Sequence, residues 1–89
     1  MFELYFKANG RVQGVGYRYF AYSLARRFGL RGFCRNSGID SFECIVQGAK
    51  EKLEEFLKEI KKGPDAAKPI NIESEFRKPE KKYDDFQIL

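Results

Sequence analysis

The run FELYFKANGRVQGVGYRYFAYSLARRFG, residues 2–29, decides the fold, because two periodicities meet in it. Phe2, Leu4, Phe6 and Ala8 alternate with Glu3, Tyr5 and Lys7, the period of a half-buried strand. From Tyr17 the spacing changes. Tyr17, Phe20, Ala21, Leu24, Ala25 and Phe28 recur at helical intervals, and Gly29 is a natural stop. Between strand and helix lie three glycines within seven residues, Gly10, Gly14 and Gly16. They let the backbone turn consecutive N–H groups toward one oxyanion. The helix that follows leaves its first amides unpaired at the positive end of its dipole, and Arg18 adds a planar fork suited to phosphate oxygens. An arginine so early in a helix is electrostatically unfavourable unless an anion is present. Without an anion, the same stretch is a tight strand-to-helix connection with a solvated arginine. No GK[ST] follows, and the glycine spacing is not GxGxxG, so neither nucleotide-binding fingerprint is met.

Further along, residues 31–36 and 41–47 read as a strand pair around the turn Ser37-Gly38-Ile39-Asp40, with Phe42, Cys44 and Val46 on one face of the second strand. Residues 50–62 place Leu53, Phe56, Leu57 and Ile60 at helical spacing before Gly63-Pro64 halts the helix. Ile70, Ile72 and Phe76 alternate with polar residues in a further strand ended near Pro79. Residues 78–85 read as a solvated loop, and a short last strand is expected at residues 86–89. The order predicts an α+β, ferredoxin-like split βαβ sandwich (βαββαβ), an antiparallel four- to five-stranded sheet with two helices on one face.

At 89 residues the chain is expected to be a single domain over residues 1–89, with no room for a second functional unit. Nine Phe and five Tyr supply enough apolar volume for a core without metal or disulfide staples. Seventeen Lys plus Arg against thirteen Asp plus Glu leave a net charge of +4, which suits small anions as well as nucleic acid and cannot choose between them. No signal-like N-terminus or long apolar run is present, so a cytoplasmic protein with no membrane partner is expected. The absence of histidine excludes Ser-His-Asp and Cys-His chemistry, imidazole bases and histidine metal sites. Cys34 and Cys44 have neither CxxC spacing nor further ligands nearby, so no metal and no cofactor are expected. The two thiols fit a reduced core, although a register placing them opposite each other would allow a disulfide.

The segments VQGVGYRYF at residues 12–20 and GLRGFCRN at residues 29–36 resemble the acylphosphatase family. That family carries a VQGVxFR loop followed about one helix later by a G-[WYF]-V-x-N segment. The resemblance implies hydrolysis of acyl phosphates, with phosphate held by Arg18 and the amides of Gln13, Gly14, Val15, Gly16 and Tyr17, and water oriented by Asn36. Read alone, without the family pattern, Asn36 is better explained as a residue capping the Ser37-Gly38 turn. The side chains of Tyr17 and Phe33 are assigned to packing. An acyl phosphate already has a good leaving group, so orientation of water and charge compensation suffice, without a nucleophilic side chain or a metal. The family usually has a DG-type turn soon after the asparagine, whereas this chain runs Asn36-Ser37-Gly38-Ile39-Asp40-Ser41. The expected partners are a small acyl phosphate and a phosphate or sulfate ion in the site, in a monomer. The alternative is a noncatalytic anion- or RNA-binding module with Tyr5 exposed for stacking; the RNP signature is missing, which disfavours nucleic acid.

Overall fold

The computed structural model describes residues 1–10, 16–64 and 71–89. Seven elements follow one another: β1 (Phe2–Asn9), α1 (Tyr17–Arg27), β2 (Arg31–Gly38), β3 (Ser41–Gly48), α2 (Lys50–Lys62), β4 (Asn71–Arg77) and β5 (Phe86–Ile88). They form a five-stranded sheet in the order β4-β1-β3-β2-β5, with both helices on one face. This is the ferredoxin-like α+β arrangement expected from the periodicities. No helix among the described residues is long and apolar enough to cross a membrane.

The alternating apolar residues of the two central strands supply the sheet's share of the core. Leu4, Phe6 and Ala8 of β1 and Phe42, Cys44 and Val46 of β3 are all fully buried. Against them pack Tyr17, Ala21, Leu24 and Ala25 of α1 and Leu53, Phe56 and Ile60 of α2. Phe6 is central, its ring 5.9 Å from Phe42 and 6.0 Å from Phe56. Burying a side chain of this size contributes about 2–3 kcal/mol. Helix α1 closes with a Schellman arrangement around Gly29 (φ 70°), in which Gly29 N–H donates to the Arg26 carbonyl and Leu30 N–H to that of Ala25.

Two features depart from the sequence expectation. The sheet is mixed: β4, β1, β3 and β2 pair antiparallel, but β5 runs parallel to β2, with Gly32 opposite Phe86 and Cys34 opposite Ile88. Alternation records which residues share a face and not which neighbour a strand finds or in which direction. The second departure explains the first. Residues 78–85 do not simply loop through solvent but cross the sheet's helix-free face from the β4 edge to the β2 edge. The Gln47 amide donates to Glu3 Oε1 (2.9 Å) and to the Lys81 carbonyl (2.6 Å), and its own Oε1 accepts from Tyr83 N–H (3.2 Å). Tyr83 also packs edge-on against Phe33, 5.5 Å between centroids. Covered by this strap, Glu3 and Gln47 are buried although alternation assigns them to the solvent side. Both have partners, as buried polar groups require.

Gly32 holds the β2–β3 pairing together. Its φ is 138°, and a Cβ there would stand 1.8 Å from the Ile45 carbonyl oxygen, so no side chain fits. Cys34 and Cys44 face each other directly across the same pair, both fully buried and both free thiols.

Candidate active site

The proposed cradle begins where β1 ends. Gly10, at φ 129°, donates its N–H to the Asp40 carbonyl across 2.8 Å, tying the start of the glycine run to the β2–β3 connection. Gln13, Gly14 and Val15, three of the residues expected to hold phosphate, lie outside the described residues. Gly16, the N-cap of α1, is in the left-handed region (φ 72°, ψ 22°) that glycine adopts at little cost. Its carbonyl accepts from Phe20 N–H at 2.8 Å, the first intrahelical bond. The N–H groups before Phe20 have no intrahelical acceptor, no side chain among the described residues caps them, and no acidic residue stands in the first turn. Arg18, half-buried, is the second residue of this helix. Among the described residues no carboxylate lies within ion-pair distance of it. An uncapped helix start with an adjacent guanidinium concentrates positive potential that an anion would neutralise.

Asn36 lies two strands away on the same sheet face. It alternates with buried Cys34 in β2 and stands opposite Phe42 of β3, which in turn stands opposite Ala8 of β1. Ala8, Phe42 and Asn36 thus form one row across the helix-covered face, and at the usual interstrand spacing β1 and β2 are about 10 Å apart. Asn36 itself is exposed, at the end of the row where the core gives way to solvent. Tyr17, the residue before Arg18, sets its ring 5.5 Å from Phe42. The immediate neighbour of Arg18 and the residue facing Asn36 are therefore in contact.

The hairpin differs from the four-residue turn expected from sequence. Strand pairing continues to Gly38 opposite Ser41, leaving Ile39 and Asp40 as the connection, with Ile39 88% exposed at its tip. A bulge between Asn36 and Gly38 absorbs Ser37, whose Oγ lies 2.9 Å from that of Ser41. The bulge and the hydroxyl pair come directly after Asn36 and accommodate the altered turn sequence.

Other charged candidates are committed elsewhere. Arg35, next to Asn36 in β2, points to the opposite sheet face, where Nε donates to Glu43 Oε1 at 2.7 Å. Tyr5 is half-buried on that face instead of exposed, its hydroxyl donating to Glu43 Oε2 at 2.8 Å beneath the Arg77 guanidinium, 5.0 Å from the ring. Partial burial pushes the Glu43 carboxyl up, but the hydrogen bonds from Tyr5 and Arg35 outweigh it and hold that group below its ordinary value. Burial, then the bond to Glu43, raises the Tyr5 phenol to about 12. Glu3, Glu43, Glu73 and Glu75 share this face with Lys7, Arg31, Arg35 and Arg77, so its strand residues balance in charge instead of forming a basic platform. Among the described residues no cluster of three or more His, Cys, Asp or Glu side chains could hold a metal ion.

One contact at the site escaped the sequence analysis. The Tyr17 hydroxyl donates to the Ile60 carbonyl at the end of α2. The signal was present in the sequence as the tyrosine standing where the VQGVxFR pattern has phenylalanine.

The family model for acylphosphatase matches residues 4–88. An acylphosphatase of Thermotoga petrophila is 39% identical over 88 residues, covering 99% of this chain and 97% of that one. Another, from Koribacter versatilis, is 40% identical over 79 residues, covering 89% and 72%. The crystal structure of the Bacillus subtilis acylphosphatase superposes with a TM-score of 0.91 at 27% identity, over 100% of this chain and 99% of that chain. With sequence and backbone alike over nearly the full length, the chain belongs to the acylphosphatase family.

Proposed function

We propose that this protein hydrolyses acyl phosphates to a carboxylate and inorganic phosphate, using Arg18 and the amides of Gln13, Gly14, Val15, Gly16 and Tyr17 to hold the phosphoryl group and Asn36 to orient the attacking water. The observation that carries this reading is the start of α1 at Gly16, acid-free and uncapped among the described residues, followed at once by Tyr17 and Arg18, beside the row that ends in Asn36. Membership of the family supplies the substrate class.

The chemistry follows from the groups available. Water attacks phosphorus in line with the bond to the acyl oxygen; that bond breaks, and its electron pair leaves on the carboxylate. Negative charge on the equatorial phosphoryl oxygens is met by main-chain N–H donors and the guanidinium, which need not reorganise as the transition state forms. The Asn36 carboxamide can accept from the water and donate to it without placing another negative charge beside phosphate. The water's proton passes to a phosphoryl oxygen, so the reading calls on no protein base and no metal. It takes the protein to act as a cytoplasmic monomer from a single domain, with phosphate or sulfate able to occupy the same cradle.

The test is phosphate release from acetyl phosphate in excess chelator, with a phosphate monoester as control. Turnover of the acyl phosphate alone is expected. No turnover, or turnover abolished by the chelator, would contradict the proposal.

A further inference from the structure

We infer that Tyr17 is a positioning residue, whose hydroxyl and ring set Arg18 relative to Asn36 by tying the start of α1 to the end of α2 and to β3. The inference rests on the proposed roles of Arg18 and Asn36.

Packing alone requires only a ring at position 17. Tyr17 is 1% exposed, and its ring meets Phe20 (6.1 Å, edge-on) and Phe42 (5.5 Å) as a phenylalanine ring would. A buried hydroxyl is unfavourable unless it finds a partner. Here the partner is the carbonyl of Ile60, in the last turn of α2, where carbonyls have no intrahelical donor. The neighbouring Glu59 carbonyl takes the N–H of Gly63, so the end of α2 is closed partly by its own chain and partly by Tyr17.

Gly63 is shaped to this contact. Its φ is 70°, and an added Cβ would stand 3.1 Å from both Tyr17 Oη and Cε2. The end of α2 is therefore built around the tip of the Tyr17 side chain. Tyr17 is the first residue of α1, and Arg18 follows it directly. With the ring held against Phe42, which faces Asn36, and the hydroxyl held by α2, the backbone that carries Arg18 has two fixed points. Removal of the hydroxyl leaves the ring free to slide along Phe42 and lets the first turn of α1 follow it.

The variant Tyr17→Phe separates positioning from stability. The dissociation constant for inorganic phosphate, kcat and KM for acetyl phosphate, and the melting temperature are measured on this variant, on wild type and on Ile60→Val, which trims core volume but keeps the accepting carbonyl. Tyr17→Phe is expected to weaken phosphate binding several-fold and to lower kcat/KM about tenfold, since a misplacement of about 1 Å can slow a positioned reaction ~100-fold. Ile60→Val is expected to lower the melting temperature and leave both constants at the wild-type level. Wild-type constants in Tyr17→Phe, or an equal loss in Ile60→Val, would overturn the inference. Should Tyr17→Phe not fold, Gly63→Ala, which presses on the same hydroxyl, is expected to weaken phosphate binding, and unchanged binding would overturn the inference. Because phosphate binding is read directly, a wild-type protein that binds phosphate without hydrolysing acetyl phosphate refutes the proposed activity alone. One that does not bind phosphate refutes both.

Discussion

The N–H of Gly10 donates to the carbonyl of Asp40 across 2.8 Å, fastening the glycine run that leaves β1 to the connection that follows Asn36. The two segments proposed to act on one phosphoryl group are thereby joined through the backbone, as well as through Tyr17 and Phe42 in the core. Site geometry is thus coupled to the integrity of the β2–β3 hairpin.

Gly32→Ala should be among the most damaging single changes in the chain. Its added methyl would meet the Ile45 carbonyl oxygen at 1.8 Å and the carbonyl carbon at 2.8 Å, both backbone atoms that cannot step aside. A φ of 138° adds conformational strain for any residue with a Cβ. A loss of more than about 4 kcal/mol, or failure to fold, is expected in urea unfolding. A loss below about 1 kcal/mol would mean that the strands separate there at little cost.

Stability should fall at both extremes of pH, from identifiable groups. Burial raises the Tyr17 phenol from 10.0 to about 12, so its contribution is complete below pH 10 and is lost as the pH rises through about 12. The melting temperature of Tyr17→Phe should therefore fall less steeply than that of wild type between pH 10 and 12. Glu43 behaves in the opposite sense. Its carboxyl lies below 4.5 in the folded protein, so its contribution is present above that pH and lost as acid protonates it. Glu43→Gln should flatten the acid limb; identical limbs in variant and wild type would remove Glu43 from the account.

Cys34 and Cys44 should resist modification while the protein is folded. Both are fully buried, and burial, then the hydrogen bond with Cys34, pushes the Cys44 thiol well above its ordinary value, so little reactive thiolate forms at Cys44. Iodoacetamide is expected to label neither in native protein and both after denaturation, as read by mass. Loss of two hydrogens under non-reducing conditions would show instead that these facing residues are bridged.

Attack of water on phosphorus fixes which bond breaks. Hydrolysis of acetyl phosphate in heavy-oxygen water should place the label in inorganic phosphate. Label in the carboxylate would mean attack at the acyl carbon, for which the proposed cradle offers no arrangement.

How far the sequence led depended on the kind of information each residue carries. Alternation at Phe2–Ala8 and helical spacing at Leu53–Ile60 report solvent exposure along one element, and those elements form as read. The direction of β5 depends instead on where residues 78–85 travel, and that is decided by Gln47, Glu3 and Tyr83 meeting at long sequence separation. The glycine run and Arg18 suggested an anion from local chemistry alone, whereas Asn36 acquired a role only through the family pattern, since an asparagine before Ser-Gly is by itself better explained as a turn cap. The Tyr17 hydroxyl was hidden for a related reason: periodicity assigns its ring to the core but says nothing of a polar tip and the carbonyl that receives it.

The central claim is a division of labour, in which Arg18 holds the phosphoryl group and Asn36 holds the water. It is tested most directly by measuring phosphate affinity and acetyl phosphate turnover together on Arg18→Ala and Asn36→Ala. Arg18→Ala should weaken phosphate binding and lower kcat/KM by ~10²–10³, the usual loss for a group that compensates transition-state charge. Asn36→Ala should bind phosphate within about twofold of wild type while kcat falls ~10² or more. Wild-type turnover in either variant, or loss of phosphate binding in Asn36→Ala with Arg18→Ala unaffected, would contradict the account.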